Sequence, residues 1–139
     1  LNGMRLLLAE DNLNNQQVAR ELLEDEGAIV QIANHGQEAV EAIAAADPMF
    51  DVVLMDLQMP VMDGFAATRA IRSLPDFASL PIVAMTADVM ADDRERCFAV
   101  GMNDHITKPI NVNAFLLTLD AALLLSQKNR PTTTTREIA

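Results

Sequence analysis

Residues 51–64 read Asp51-Val-Val-Leu-Met-Asp56-Leu-Gln-Met-Pro60-Val-Met-Asp-Gly64. Val52 to Met55 form an apolar run without polar alternation, the pattern of a strand buried on both faces, as in a parallel sheet. The run stops on Asp56, and Pro60 and Gly64 then punctuate the chain before a segment of helical period begins. A carboxylate therefore stands at the mouth of a buried strand.

The same unit repeats on either side. Apolar runs at Met4–Ala9, Ala28–Ala33, Asp51–Met55, Pro81–Met85 and, more weakly, Asp104–Thr107 alternate with helical periods over Asn14–Glu26, Gly36–Ala46, Gly64–Ser73, Asp88–Val100 and Val112–Ser126. Val18, Leu22 and Leu23 mark the inward face of the first helix, and Val40 and Ile43 that of the second. Asn12–Gln16 offers capping side chains at the first helix, and Gly27 and Gly101 stand where a helix ends on a left-handed residue. Strands alternating with helices predict an α/β, doubly wound five-stranded parallel sheet with five helices, covered on both faces and joined by right-handed crossovers. The predicted domain is 1–127. Beyond it Asn-Arg-Pro and the run Thr132–Thr135 make 128–139 a flexible C-terminal linker or a modified or binding tail.

Half of the 139 residues are hydrophobic, which excludes a disordered chain, and the length suits one domain. Lys plus Arg number 10 against 20 Asp plus Glu, a formal charge of −10 that disfavours direct nucleic-acid or anionic-membrane binding. The lone Cys97 forms no internal disulfide, in keeping with a reducing compartment. Thr118 and Asp120 interrupt the best apolar run before it reaches the ~18 residues of a membrane span. The expectation is a soluble, acidic, cytoplasmic module. The opening Leu1-Asn2-Gly3, without Met, suits a segment of a longer polypeptide.

In an open parallel sheet, ligands bind beyond the carboxyl ends of the strands. Those ends carry Glu10-Asp11-Asn12, Asp56, Thr86 and Lys108-Pro109, whereas Gly27, Pro48 and Pro81 serve turns at the other. If the first and third strands are neighbours, Glu10, Asp11 and Asp56 converge. Two like charges ~4 Å apart repel by about 4 kcal/mol at an effective dielectric of 20, so the trio needs a cation or a shared proton. An all-oxygen cluster suits a hard ion such as Mg²⁺, which accepts phosphate as a further ligand. Carboxylate, metal and ammonium describe phosphoryl transfer, with an aspartate able to act as nucleophile.

These residues resemble the receiver domain of two-component response regulators, from about Met4 to Ser126. The resemblance rests on Glu10-Asp11-Asn12, on Asp56 with Met59-Pro60 and Asp63-Gly64, on Met85-Thr86-Ala87 and on Lys108-Pro109. It implies a flavodoxin-like sheet of strand order 2-1-3-4-5. It also implies that Asp56 accepts a phosphoryl group from a phosphohistidine of a histidine kinase or histidine phosphotransfer domain. Asp11 and Asp56 would ligate Mg²⁺ (or Mn²⁺) directly, Glu10 through water and Gln58 by its backbone carbonyl. Thr86 and Lys108 would contact phosphoryl oxygens, the Lys108–Pro109 bond would be cis, and Gln58 and Asp88 would tune the lifetime of the phosphorylated state. Thr86 and the third residue before the lysine hold the switch positions. The latter is usually Tyr or Phe, but here it is His105, in a chain without Tyr or Trp. Asn12-Leu-Asn-Asn-Gln-Gln-Val18 and Asn34-His-Gly-Gln-Glu-Ala39 look more like receivers of hybrid sensor histidine kinases than stand-alone regulators, which would make this a cytoplasmic domain of a membrane-bound sensor. Such a domain is its own substrate rather than a turnover enzyme.

Other readings meet obstacles. A haloacid dehalogenase-type aspartyl phosphotransferase or phosphatase wants a second aspartate where Gln58 stands, and a cap domain. A flavodoxin-like cofactor binder wants a phosphate loop where Glu10-Asp11 would repel the phosphate. A degenerate receiver would lack some of the acceptor, metal, hydroxyl or lysine positions, all of which are filled. His35 reads as a surface turn residue, Cys97 as a core or boundary residue, and Met59 and Met62 as core filling or a soft docking rim. In the last helix Phe115, Leu116, Leu119 and Leu123 make a core stripe, leaving Leu117, Leu124 and Leu125 over. That excess marks either a wide buried stripe or a homodimer or partner surface over the fourth helix, fifth strand and fifth helix.

Overall fold

The computed structural model describes residues 3–46, 49–75, 77–86, 91–107, 111 and 113–118, with the side chains of 91–93 left aside. The elements run β1 (Arg5–Ala9), α1 (Leu13–Asp25), β2 (Ile29–Ala33), α2 (Gly36–Ala45), β3 (Val52–Asp56), α3 (Gly64–Ser73), β4 (Ile82–Thr86), α4 (Ala91–Ala99) and β5 (Asp104–Thr107). A fifth helix begins at residues 113–118, with Asn111 Oδ1 accepting from Ala114 N at 3.0 Å. The sheet is parallel throughout, in the order β2-β1-β3-β4-β5. The expected α/β fold and its strand order are therefore found.

Period-two alternation divides the core in two. On one face Leu7, Val53, Met55 and Ala84 pack with Ala39, Ile43, Phe65, Ile71 and Cys97 of α2, α3 and α4. On the other, Leu6, Leu8, Leu54, Val83 and Met85 pack with Ala19 and Leu23 of α1 and with Phe115. All of β3 and β4 is buried, which accounts for their lack of polar alternation; the edge strand β2 exposes Ile29 and Gln31.

Helix α1 ends as its sequence indicates. Gly27 has φ 96°, its N–H donates to Glu24 O at 2.9 Å, and Ala28 N donates to Leu23 O at 3.1 Å, a Schellman closure. Gly101, at φ 105°, closes α4 in the same way, with Met102 N donating to Cys97 O at 2.9 Å. One expectation is corrected. Val18 does not face inward: it is 52 % exposed, and the buried face of α1 is Gln16, Ala19 and Leu23. Adjacent helix residues point about 100° apart, so the hydrophobic stripe read as 18-22-23 is really 16-19-23, with an amide in its first place. Leu119, Leu123 and the predicted linker 128–139 lie outside the described residues.

Among the described residues no helix is long and apolar enough to cross a membrane. Leu54, fully buried at the centre of the sheet, measures what this core contributes. Leu54→Ala is expected to lower the unfolding free energy by about 3 kcal/mol, read as a reduced urea midpoint with an unchanged m-value.

Candidate functional site

Strands β1 and β3 are paired in register, Leu6 with Val52 through Ala9 with Met55. The next residue of each strand is acidic, so Glu10 and Asp56 leave the sheet side by side, with Asp11 following. One carboxylate oxygen from each of Glu10, Asp11 and Asp56 lies within 4.8 Å of the others. Glu10 is 2 % exposed and Asp56 4 %, while Asp11 is exposed, so the cluster meets solvent at Asp11.

Local hydrogen bonds hold the buried pair. Glu10 Oε2 accepts from Asn12 N at 3.1 Å and Asp56 Oδ1 from Gln58 N at 3.2 Å. Asn12 is at once the cap of α1, its Oδ1 taking Asn15 N at 3.0 Å. The loop after β3 folds back on itself, Gly64 N donating to Leu57 O at 3.1 Å. A side chain at Gly64 would overlap the carbonyl oxygen of Asp56, which explains why glycine follows Asp63, the cap of α3. At the same rim Val61 has φ 67°, with Met62 N donating to Pro60 O at 2.6 Å across it, a γ-turn. That conformation is unfavourable for a β-branched residue, and Val61 is 80 % exposed there.

Thr86 ends β4 and is nearly buried, and in register Asp56 lies opposite Met85, one residue before it. Thr86 pairs with Thr107 and Ala84 with His105, so by alternation Thr86 and His105 lie on one face of the sheet. The His105 side chain is largely buried, and its Nδ1 is 3.6 Å from Asp104 Oδ1 without a hydrogen bond. Lys108, Pro109 and Asp88 lie outside the described residues.

The donor set fits a hard divalent cation: all oxygen, anionic, mostly buried and open to water at Asp11. A family model for the response regulator receiver domain matches residues 6–120. The chain belongs to the receiver family. Among curated relatives, this receiver is 40 % identical over 124 residues to hybrid signal transduction histidine kinase B of Dictyostelium discoideum, covering 81 % of this chain and 6 % of the kinase. It is 46 % identical over 110 residues to the sensor protein GacS of Pseudomonas syringae pv. syringae, covering 77 % of this chain and 12 % of GacS. The receiver thus spans only a small part of the length of either relative. Of solved structures, it superposes with TM-score 0.77 and 37 % identity on the receiver domain of a sensor histidine kinase from Pseudomonas aeruginosa PAO1, which has a magnesium ion coordinated in its active site cleft; 85 % of this chain and 95 % of that one are covered. The chemotaxis protein CheY4 of Vibrio cholerae gives TM-score 0.79 at 30 % identity, covering 86 % and 98 %.

Three residues of this receiver do more than their sequence context suggests. His35 caps α2, its Nδ1 accepting from Glu38 N at 3.2 Å, rather than standing free in a turn. Arg72 donates to the carbonyls of Gly101 (2.9 and 2.7 Å) and Phe77 (2.8 Å) and to Asn103 Oδ1 (2.9 Å), tying α3 to the start of β5 at the end of the sheet away from the acids. Burial lowers its pKa from the usual arginine value, but a guanidinium remains charged throughout the working range. Gln16, legible only as one of several capping residues, is buried beside Glu10.

Glu10 and Asp56, at up to 4.8 Å, repel by about 3.5 kcal/mol at an effective dielectric of 20. Asp56→Asn removes one charge and keeps an acceptor for Gln58 N. In chelator-treated protein it is expected to raise stability by roughly 1–3 kcal/mol, the share of that repulsion left unscreened. A urea midpoint at or below that of the wild type would contradict this.

Proposed function

We propose that Asp56 is the phosphoacceptor of this receiver, and that its donor is a phosphohistidine on a histidine kinase or histidine phosphotransfer domain. The observation that carries this is the meeting of Glu10, Asp11 and Asp56 at the end of a wholly buried strand. A carboxylate oxygen of Asp56 attacks phosphorus, and an O–P bond forms as the N–P bond of the phosphohistidine breaks. The imidazole leaves with the bonding pair and takes a proton from water. The hydrogen bond from Gln58 N to Asp56 Oδ1 helps to orient the carboxylate at the strand end. Mg²⁺ (or Mn²⁺), held by Asp11 and Asp56 directly, by Glu10 through water and by the Gln58 carbonyl, would supply positive charge against the phosphoryl oxygens. Lys108 and the hydroxyl of Thr86 are assigned to two of those oxygens, and Asp88 with Gln58 to the lifetime of the acyl phosphate.

Readout is assigned to Thr86 and His105. A hydroxyl drawn toward the phosphoryl group leaves space on the face it shares with His105, beside the small Ala84, and so favours a different packing of the ring. The domain consumes itself as substrate, once per phosphoryl group, and does not turn over like an enzyme. Its likeness to a hybrid kinase and to a sensor protein supports a place within a hybrid sensor histidine kinase; a position on the cytoplasmic side of a membrane-bound sensor is a further part of the proposal.

Labelling by a small acyl phosphate in the presence of Mg²⁺, followed by intact-protein mass, tests this reading. Wild-type protein is expected to gain one phosphoryl group, and Asp56→Asn none. Chelating the metal should stop labelling of the wild type. Persistent labelling of Asp56→Asn would overturn the assignment.

A second element of the proposal is a homodimer or partner surface over α4, β5 and the fifth helix. Phe98 on α4 is 51 % exposed and Leu117 on the fifth helix 74 %, large apolar side chains in water. Sedimentation with beryllofluoride, a phosphoryl mimic, and Mg²⁺ is expected to show a dimer that Phe98→Glu abolishes. A monomer at all concentrations would exclude self-association.

A further inference from the structure

Gln16 occupies an inward position of α1, in line with Ala19 and Leu23, and is only 8 % exposed. A buried primary amide costs several kcal/mol unless its polar atoms are paired, on the order of the desolvation of the group itself. Both hydrogens of Nε2 are used. One goes to the backbone carbonyl of Glu10 at 2.5 Å and the other to Asn34 Oδ1 at 2.9 Å. Asn34 is itself fixed. Its backbone N–H and its Nδ2 both donate to Glu38 Oε1, at 2.8 and 3.1 Å, which turns its carbonyl oxygen toward Gln16. The Asn34 N–H holds the Glu38 carboxyl below its usual range, so the anchor is an anion near neutral pH.

The Glu10–Asp11 turn is thereby gripped on two sides. The N–H of Glu10 donates to Ala33 O of β2 at 3.0 Å, and its carbonyl is held by Gln16. That carbonyl belongs to the peptide plane joining Glu10 to Asp11, so its direction sets where the Asp11 side chain leaves the backbone. Left to themselves, carboxylates within 4.8 Å of one another would rotate apart. The next loop is tied to the same frame: Gly36 N donates to Met62 O at 3.0 Å, and a side chain at Gly36 would overlap that oxygen.

We propose that Gln16 and Asn34 are positioning residues that hold the Glu10–Asp11 peptide plane, and with it the two carboxylates, in the arrangement that binds a divalent cation. The proposal rests on the reading of the acid cluster as a metal site. Neither residue touches the phosphoryl group; Gln16 acts through the Glu10 carbonyl, and Asn34 acts through Gln16.

The test measures the Mg²⁺ dissociation constant of the folded protein by titration calorimetry, since the chain has no Trp or Tyr to report binding by fluorescence. Urea unfolding of each variant is run alongside. Gln16→Leu keeps the volume and removes both donors, and is expected to weaken Mg²⁺ about tenfold, as loss of an outer partner of a metal ligand does. Asn34→Ala, at an exposed position, should weaken it several-fold. The double variant should bind no worse than Gln16→Leu, because both act through one bond. If Gln16 merely filled the core, the variants would lose stability while the folded protein kept its Mg²⁺ affinity; affinities within twofold of wild type would overturn the proposal. Should Gln16→Leu fail to fold, Asn34→Ala decides by the same criterion. If wild-type protein binds no Mg²⁺, the metal-site reading fails and takes this inference with it. If wild type binds and the variants bind equally, this inference alone fails.

Discussion

Like charges do not gather unless something holds them together. In this chain the holding is done by the parallel pairing of β1 with β3, which ends at Ala9 and Met55 and delivers an acid from each strand at the next position. The pairing is itself held by apolar layers on both faces of the sheet. Leu6, Leu7, Leu8, Val52, Val53, Leu54 and Met55 are all fully buried, and each such side chain is worth roughly 1.5–3 kcal/mol of burial. Against that, a repulsion of about 3.5 kcal/mol between two carboxylates is affordable at an effective dielectric of 20. Folding thus holds the carboxylates nearer to one another than their mutual repulsion favours.

The loops around the acids add direction to proximity. Asn12 links the site to the start of α1 by accepting from Asn15 N while donating its own N–H to Glu10. Gly64 lets α3 begin directly against the end of β3, and Gly36 lets α2 begin against the loop that follows β3. Each glycine stands where a methyl group would strike a backbone oxygen. Helix starts, loop turns and acidic strand ends are in this way one connected piece, and Gln16 and Asn34 extend it to β2 and α2. The opposite end of the sheet has its own tie in Arg72, whose guanidinium gathers carbonyls from two loops.

Much of this was legible in the residues. Unbroken apolar runs gave away strands buried on both faces, and the two glycines after α1 and α4 marked left-handed closures that are present. The acids and the hydroxyl at strand ends could be read as neighbours because a parallel sheet puts those ends on one rim. What escaped was whatever depends on rotation or on partners distant in sequence. Val18 and Gln16 could not be sorted into outward and inward from composition, since the polar residue is the one turned in. His35 as a cap depends on its own backbone being extended, and Arg72 depends on carbonyls 5 and 29 residues away. Nothing in Met-Pro-Val-Met announces a positive φ at Val61, because a valine resists it and only the surrounding turn imposes it.

The amino-acid order by itself determined which segments become strands and helices, where they stop, and which side chains stand at the strand ends. Those follow from local rules: the period of apolar residues, the stiffness of proline, the freedom of glycine and the capping of free N–H groups. Only the tertiary structure decided that β1 lies against β3 in a register bringing three carboxylates within 4.8 Å. It alone decided, too, that a buried amide from α1 should hold the backbone between two of them. The reason is that strand order and helix rotation are settled by packing across the whole sheet, a sum over contacts between residues far apart along the chain.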